Sequence, residues 1–421
     1  MIKTYELFPG VMLRCFPDSR FKQGALSVQI VRPQSREEAS MNALIPTVLL
    51  RGCEGAPDLR AITNRLDELY GASVGTMVRR VGDYQTTGLY CAFLEDRFAM
   101  TGDRVLEPMV EFLGQLLLEP LMEDGGFDST FVAGEKKNLI ATIESELNDK
   151  RAYAMGKLLR TMCRGDSFGV PRLGDKELVA GIDPKTLYSH YQHILSTSRI
   201  ELFYVGSTCG ETVAALLKKM LGAIARDYEE PAPQTPFRDG GGSDAAEQMD
   251  AAQSVLCMGF VTEITSARKD FAAMQVLNTL FGAGMTSKLF QQVREKMSLC
   301  YAIGSGYYGS KGIVTVSAGI DRQKEELVRR EVLNQLSACC RGEIAGGELA
   351  AAKEALLSSL RGIHDSPASI ESYYSTHQLS GAFRSPKDYM AQIEAVTMDD
   401  VVAAAKTVKP HTTYFLKGVQ E

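Results

Sequence analysis

The chain has 421 residues, 45% of them hydrophobic, enough to bury more than one core. Its net charge of -6, from 46 basic and 52 acidic residues, favours neither nucleic acid nor an anionic membrane surface. The N-terminus lacks an apolar run behind a basic start, so no signal peptide is expected, and no stretch approaches the ~18 apolar residues of a membrane span.

In chain order, Met41, Leu44, Ile45, Val48 and Leu49 follow helical spacing, and the helix stops at Gly52. Asp58, after Pro57, is the expected N-cap of a second helix that buries Leu59, Ile62, Leu66 and Leu69. Residues 73–81 and 84–93 read as strands joined by a Gly82-Asp83 hairpin turn. Further on, Ile182-Asp183-Pro184 opens a helix that leads to a strand ending at Gly206.

From 229 to 253 the chain carries three prolines, the run Gly240-Gly241-Gly242 and little that could enter a core. This reads as a linker at 229–250 between domains 1–228 and 251–421. The second half then repeats the order of the first. Phe271, Met274, Leu277, Leu280 and Phe281 give a helix ending at Gly282 and Gly284, and Thr286 is the expected cap of a helix burying Leu289, Phe290, Val293 and Met297. Strands at 300–307 and 313–318 follow, joined by Gly309-Ser310-Lys311-Gly312, and Thr397-Met398-Asp399-Asp400 opens a last helix before a strand to Gly418. Both hairpins end in Asp-Arg, at Asp96-Arg97 and Asp321-Arg322. Several matches in one order indicate a duplication. The predicted fold class is α+β: two tandem homologous domains, each an antiparallel-rich mixed sheet covered by helices on one face.

The chemistry is sparse. The nine cysteines are scattered and odd in number, without Cys-x-x-Cys, which fits reduced, mostly buried thiols in a cytoplasmic protein. No histidine precedes His190, and neither His-Glu-x-x-His nor His-x-x-Glu-His occurs. His190 and His193 share a helix face and could share a metal, or simply face water beside Tyr188 and Tyr191. There is no Gly-x-Ser-x-Gly elbow, and residues 282–288 resemble a phosphate loop without its Gly-Lys-Ser/Thr order. Spacing alone yields a two-domain α+β protein with no evident active site.

The second half is more specific. Phe281-Gly282-Ala283-Gly284-Met285-Thr286-Ser287-Lys288-Leu289-Phe290, then Val293-Arg294-Glu295-Lys296, then Leu299-Cys300-Tyr301, resembles the second-domain signature of the pitrilysin/insulinase superfamily of zinc peptidases, to which mitochondrial processing peptidase belongs. Lys288, Val293 and Cys300 replace that pattern's Arg, Leu and Ala. The resemblance spans essentially the whole chain and implies a LuxS/MPP-like metallohydrolase fold. In active members, the first domain carries His-x-x-Glu-His on its first long helix, followed by Lys/Arg-Gly, with a third ligand Glu on a later helix. Here the matching stretch is Ala43-Leu44-Ile45-Pro46-Thr47, with Arg51-Gly52 after it, so Ala43 and Thr47 stand for the two His and Pro46 for the base. The later helix has Glu135 but Thr142 at the ligand position; Glu144, two residues on, points ~200° round the helix. This loss, together with the run 146–154, resembles the short, non-catalytic bacterial members of the family. No cofactor is therefore expected, zinc included.

The resemblance implies that Arg294 and Tyr301 face a zinc site and help hold substrate and stabilise its oxyanion. Gly282, Gly284 and Ser287 are implied as substrate-binding residues. A two-domain chain of this family is half of a chamber, so the expected partner is a zinc-bearing homologue in a heterodimer, or a second copy in a homodimer, with an extended peptide or protein as substrate. The alternatives are a scaffold subunit without peptide chemistry, like the respiratory-complex core subunits of this fold, and a peptidase with relocated ligands.

Overall fold

The element order follows from capping and from alternation of apolar residues. The computed structural model describes residues 2–100, 102–237 and 241–419. The first half begins with strands β1 (Lys3–Phe8), β2 (Val11–Pro17) and β3 (Gln23–Pro33), then helices α1 (Arg36–Leu49) and α2 (Leu59–Glu68). As expected, the Asp58 carboxylate caps α2 by accepting the Ala61 N–H at 2.8 Å. The hairpin β4 (Ser73–Val81) and β5 (Tyr84–Leu94) follows, then α3 (Leu106–Leu118) and the two-residue strands β6 (Met122–Glu123) and β7 (Gly126–Phe127). Next come α4 (Ser129–Ser145), α5 (Lys150–Met162), α6 (Lys176–Gly181), α7 (Pro184–Thr197), β8 (Arg199–Gly206) and α8 (Gly210–Leu221). The second half comprises β9 (Asp244–Met249), β10 (Ser254–Val261), α9 (Phe271–Phe281), a π-helical segment (Leu289–Lys296), β11 (Cys300–Tyr308) and β12 (Ile313–Ile320). It ends with α10 (Glu325–Cys340), α11 (Gly346–Arg361), α12 (Pro367–Leu379), α13 (Pro386–Ala395), α14 (Met398–Thr407) and β13 (Lys409–Gly418).

The two large sheets share one strand order. In the first it is β1-β2-β8-β3-β5-β4; in the second, β9-β13-β10-β12-β11. The parallel pair β2·β8 corresponds to β9·β13, and every other pairing in the two sheets is antiparallel. Among the described residues, only β1 lacks a counterpart. The expected α+β class and the duplication are both visible in this topology.

Two compact units divide the chain: residues 1–144, 170–233 and 364–376 in the first, and 145–169, 234–363 and 377–421 in the second. They differ from the contiguous spans 1–228 and 251–421 in two exchanged segments. Residues of α5 belong to the second unit, and most of α12, its counterpart in the repeat, to the first. In the first unit, Leu26, Val28 and Ile30 of β3 point to the helical core with Leu44, Val48, Phe112, Leu113 and Ile194. On the opposite face, Phe16, Ala25, Phe203 and Val205 pack against Ile370 and Tyr374 of α12. In the second unit, α5 places Ala154 and Leu158 against Val255, Cys257, Tyr414 and Leu416.

The expected linker also contains structure. Residues 244–249 form β9, an edge strand paired parallel to β13. Its Asp-Ala-Ala-Glu-Gln-Met sequence has no β-branched or aromatic residue, so strand propensity gives no sign of it. Residues 238–240, with Gly240 of the glycine run, lie outside the described residues.

Candidate functional site

On the first unit, α1 carries Ala43, Pro46 and Thr47. Ser35 caps the helix by accepting the Glu38 N–H at 3.1 Å, and Glu37 and Glu38 oppose the positive end of its dipole. Pro46 has no N–H, so the carbonyl of Asn42, four residues earlier, loses its helical partner. The Thr87 hydroxyl on β5 takes its place, donating to Asn42 O at 2.5 Å. The Asn42 side chain is completely buried and donates to Gln85 Oε1 at 2.9 Å. Gln85 donates in turn to the carbonyls of Ala39 and Arg172. Asn42 Oδ1 is then an acceptor, so His190 Nε2, 2.8 Å away, carries the proton. Burial holds the His190 pKa down to about 4. His190 therefore belongs to a buried polar network, while His193 is exposed.

The other positions that the resemblance matches to a zinc site are engaged elsewhere. Ala43 is buried in the core, and the Thr47 hydroxyl donates to Leu44 O at 2.8 Å. Thr142 is exposed on α4 and donates to Asn138 O at 2.9 Å. Glu135 is buried, accepts from Asn138 Nδ2 at 3.0 Å and pairs with Arg51 at 3.6 Å. Glu144 is exposed and pairs with Lys176 at 3.0 Å. The Arg51 guanidinium also lies over the Phe131 ring, 5.8 Å from its centroid.

On the second unit, α9 ends at Gly282, where a β-carbon would sit 2.6 Å from Ser305 Oγ. Gly284 has φ +131°, a conformation reserved for glycine. Ser287 is buried; its hydroxyl donates to Gly284 O at 2.7 Å and accepts the Phe290 N–H at 3.4 Å. Ser287, not the exposed Thr286, therefore organises the start of the next helix, because a buried oxygen within reach of a free N–H is what capping requires. Lys288 is buried and pairs with Glu348 at 3.0 Å.

That next helix is π-helical over 289–296, and Met297 N–H reaches Gln292 O five residues back at 3.0 Å. The wider turn leaves Met297 exposed, where a regular helix was expected to bury it. Arg294 is half-exposed, with its guanidinium 4.6 Å from the Phe290 ring centroid and 3.7 Å from Glu295. Ser298 takes a left-handed turn (φ +50°) into β11. The register of β11 then slips between Cys300 and Ala302, so Tyr301 sits in a bulge. Its side chain is 62% exposed, and its hydroxyl donates to Asp321 at 3.2 Å. A π-helix and a bulge thus bring Arg294 and Tyr301 to solvent from neighbouring elements.

Comparison with known proteins places this arrangement. Residues 181–356 match the family model of the Peptidase M16 inactive domain. Over 98% of its length the chain is 27% identical to a probable inactive metalloprotease, YmfF, of Bacillus subtilis, of which 96% is covered. The chain is thus similar to M16 (pitrilysin/insulinase) peptidases, in its second half by the family model and along its length to YmfF. A crystal structure of a conserved protein from Enterococcus faecalis matches with a TM-score of 0.92 at 26% identity, over 100% of this chain and 99% of that one. The M16 inactive domain from Pseudomonas fluorescens matches with a TM-score of 0.81 at 17% identity, over 100% and 99%, and shows the M16 fold alone.

The donor set at these positions does not fit zinc. Alanine offers no ligand atom, the proline nitrogen is in the backbone, two threonine hydroxyls serve helix carbonyls, and Glu135 is held by a guanidinium. Among the described residues no group of three His, Cys, Asp or Glu side chains could hold a metal ion. Sequence reasoning missed Thr87 and Gln85. The signal was there: a proline inside a helix needs a substitute donor, and Gln85-Thr86-Thr87 is a polar run in a strand with an apolar core face.

Proposed function

We propose that this chain is a non-catalytic M16 subunit that pairs with a zinc-bearing homologue, or with a second copy of itself, to form a peptide-binding chamber. In that pair Arg294 and Tyr301 act in trans, holding an extended peptide and stabilising its oxyanion. The observation that carries this reading is an asymmetry. Every metal-site position is filled or engaged, whereas Arg294 and Tyr301 are presented to solvent by a π-helix and a bulge. The edge strands β4 and β11 support strand addition by a peptide. No described helix is long and apolar enough to cross a membrane. Seven of the nine cysteines are buried, which supports a reducing, cytoplasmic setting.

The test is to co-express the chain with a His-x-x-Glu-His homologue from the same genome and measure peptidase activity. Arg294→Ala and Tyr301→Phe are each expected to lower turnover by about 10²-fold. Full activity of both variant complexes would exclude the trans role. A scaffold role has one observation in its favour: Arg294 stacks on Phe290 and Tyr301 bonds Asp321, contacts that need no substrate. A complex that assembles but cleaves no peptide would decide for the scaffold.

A further inference from the structure

Helix α5 is fixed to the second sheet by its apolar side. Ala154 and Leu158 meet β10 and β13, and Met162 continues the same line one turn further on. The other side is basic. Lys150, Tyr153, Lys157 and Arg160 follow the spacing i, i+3, i+7, i+10, which puts them on one face for ~15 Å of helix, roughly opposite Leu158. Arg164 comes just past the C-cap, four residues after Arg160. From 150 to 165 the chain holds five cations, the fifth being Arg151, and no acid, within a chain of net charge -6.

Folding gives little reason for this charge. Lys150 and Arg151 stand in the first turn of α5, where the helix dipole disfavours cations, and that turn holds no acid. The dipole favours Arg160 near the other end, but Arg160 and Arg164 are both exposed, and like charges four residues apart repel. Among the described residues no carboxylate pairs with either guanidinium. Asp166, the nearest acid in sequence, is held by the buried Lys311 at 3.0 Å. Lys157 has a partner in Glu247 at 3.3 Å. That carboxylate also accepts from Tyr153 at 3.0 Å and Tyr414 at 2.6 Å, so its charge is divided among three donors.

The spacing suits an extended chain that carries anions. Arg160 and Arg164 are ~6 Å apart along the helix, and side chains at alternate positions of a strand are ~6.8 Å apart. Carboxylates at alternate residues can therefore meet the two guanidinium groups, each through paired N–H···O bonds. A nucleic acid would offer anions too, but the acidic balance of the chain repels a long polyanion more than a short acidic peptide.

We propose that the basic side of α5, from Lys157 to Arg164, docks an acidic segment of an extended peptide. The proposal rests on the peptide-binding reading above and adds its substrate class: peptides with carboxylates at alternate positions. Arg160 and Arg164 are binding residues, with no part in bond breaking.

Fluorescence anisotropy of the full chain with three labelled peptides tests it. The peptides share one Val/Ala/Thr sequence and carry Glu, Gln or Lys at alternate central positions. At low salt the Glu peptide should bind ~10-fold more tightly than the Gln peptide, and the Lys peptide more weakly than both. Arg160→Gln with Arg164→Gln should abolish the Glu preference and leave Gln-peptide binding unchanged. Lys137→Gln with Lys218→Gln removes the same charge from exposed positions of α4 and α8, and should keep the preference. Equal binding of the Glu and Gln peptides, or a preference lost equally in both double variants, would overturn the docking site and leave the peptide-binding reading standing. So would a single-stranded oligonucleotide that binds as tightly as the Glu peptide and is lost in the arginine variant, which would assign this side of α5 to nucleic acid. No binding of any peptide would overturn both.

Discussion

Pro46 shows how a helix can carry an interior proline without unfolding. A proline inside a helix costs ~3 kcal/mol, partly through the carbonyl it strands. Here the Thr87 hydroxyl occupies that carbonyl, and Asn42, Gln85 and His190 are built around the same turn. Thr87→Val keeps the shape and removes the donor. It should destabilise the chain by about 1–2 kcal/mol in urea unfolding, whereas Thr87→Ser should cost much less. If Thr87→Val were as stable as the parent, the compensating bond would have no energetic role. At this scale the sequence was informative about loss. Ala43, Pro46, Thr47 and Thr142 are visibly poor zinc ligands. It was uninformative about compensation, because Thr87 lies on another element and only the fold brings it to Asn42.

Among the elements, the exchanged helices depend most on buried polar chemistry. Helix α12 is fixed to the first sheet by Glu371, which is 1% exposed. Its carboxylate accepts from Ser27 at 2.9 Å, from Gln29 at 2.8 Å and from both terminal nitrogens of Arg79, at 3.2 and 2.9 Å. Removing one partner of such a pair leaves a buried charge. Arg79→Met should therefore destabilise by about 3 kcal/mol, and Arg79→Met with Glu371→Gln should recover much of the loss. A neutral Arg79→Met would mean that the clamp is ornamental. Local patterning revealed β4, β5, α9, β11 and β12 to within about two residues, because each has an apolar face or a clear turn signal; it found α1 only from Met41, five residues late, and placed α2 well but put the exposed Leu59 in the core. It concealed β9, which lacks strand formers, and the π-helix, whose spacing over a few residues resembles that of an α-helix. Nor could patterning say which unit α5 joins, since its apolar stripe would suit either sheet.

For the whole molecule, the repeat proved deeper than its motifs: strand order, the parallel pair and the exchanged helix all recur. That last feature sets the limits of dissection. A fragment of residues 1–228 keeps α5 but loses α12, and one of residues 229–421 does the reverse. Each fragment expressed alone should aggregate or unfold without cooperativity, and the two expressed together should co-purify as a folded pair by gel filtration. Two separately folded, sharply melting halves would contradict the exchange.

The reciprocal exchange also changes what the join between the halves does. Two separate copies trading a helix would hold together only above some concentration. Tied in one chain, each helix meets its sheet at an effective concentration on the order of mM, whatever the cellular abundance. The segment from 229 to 250 therefore makes an association reaction into a folding reaction, and its length, more than its sequence, decides how firmly the exchange is kept.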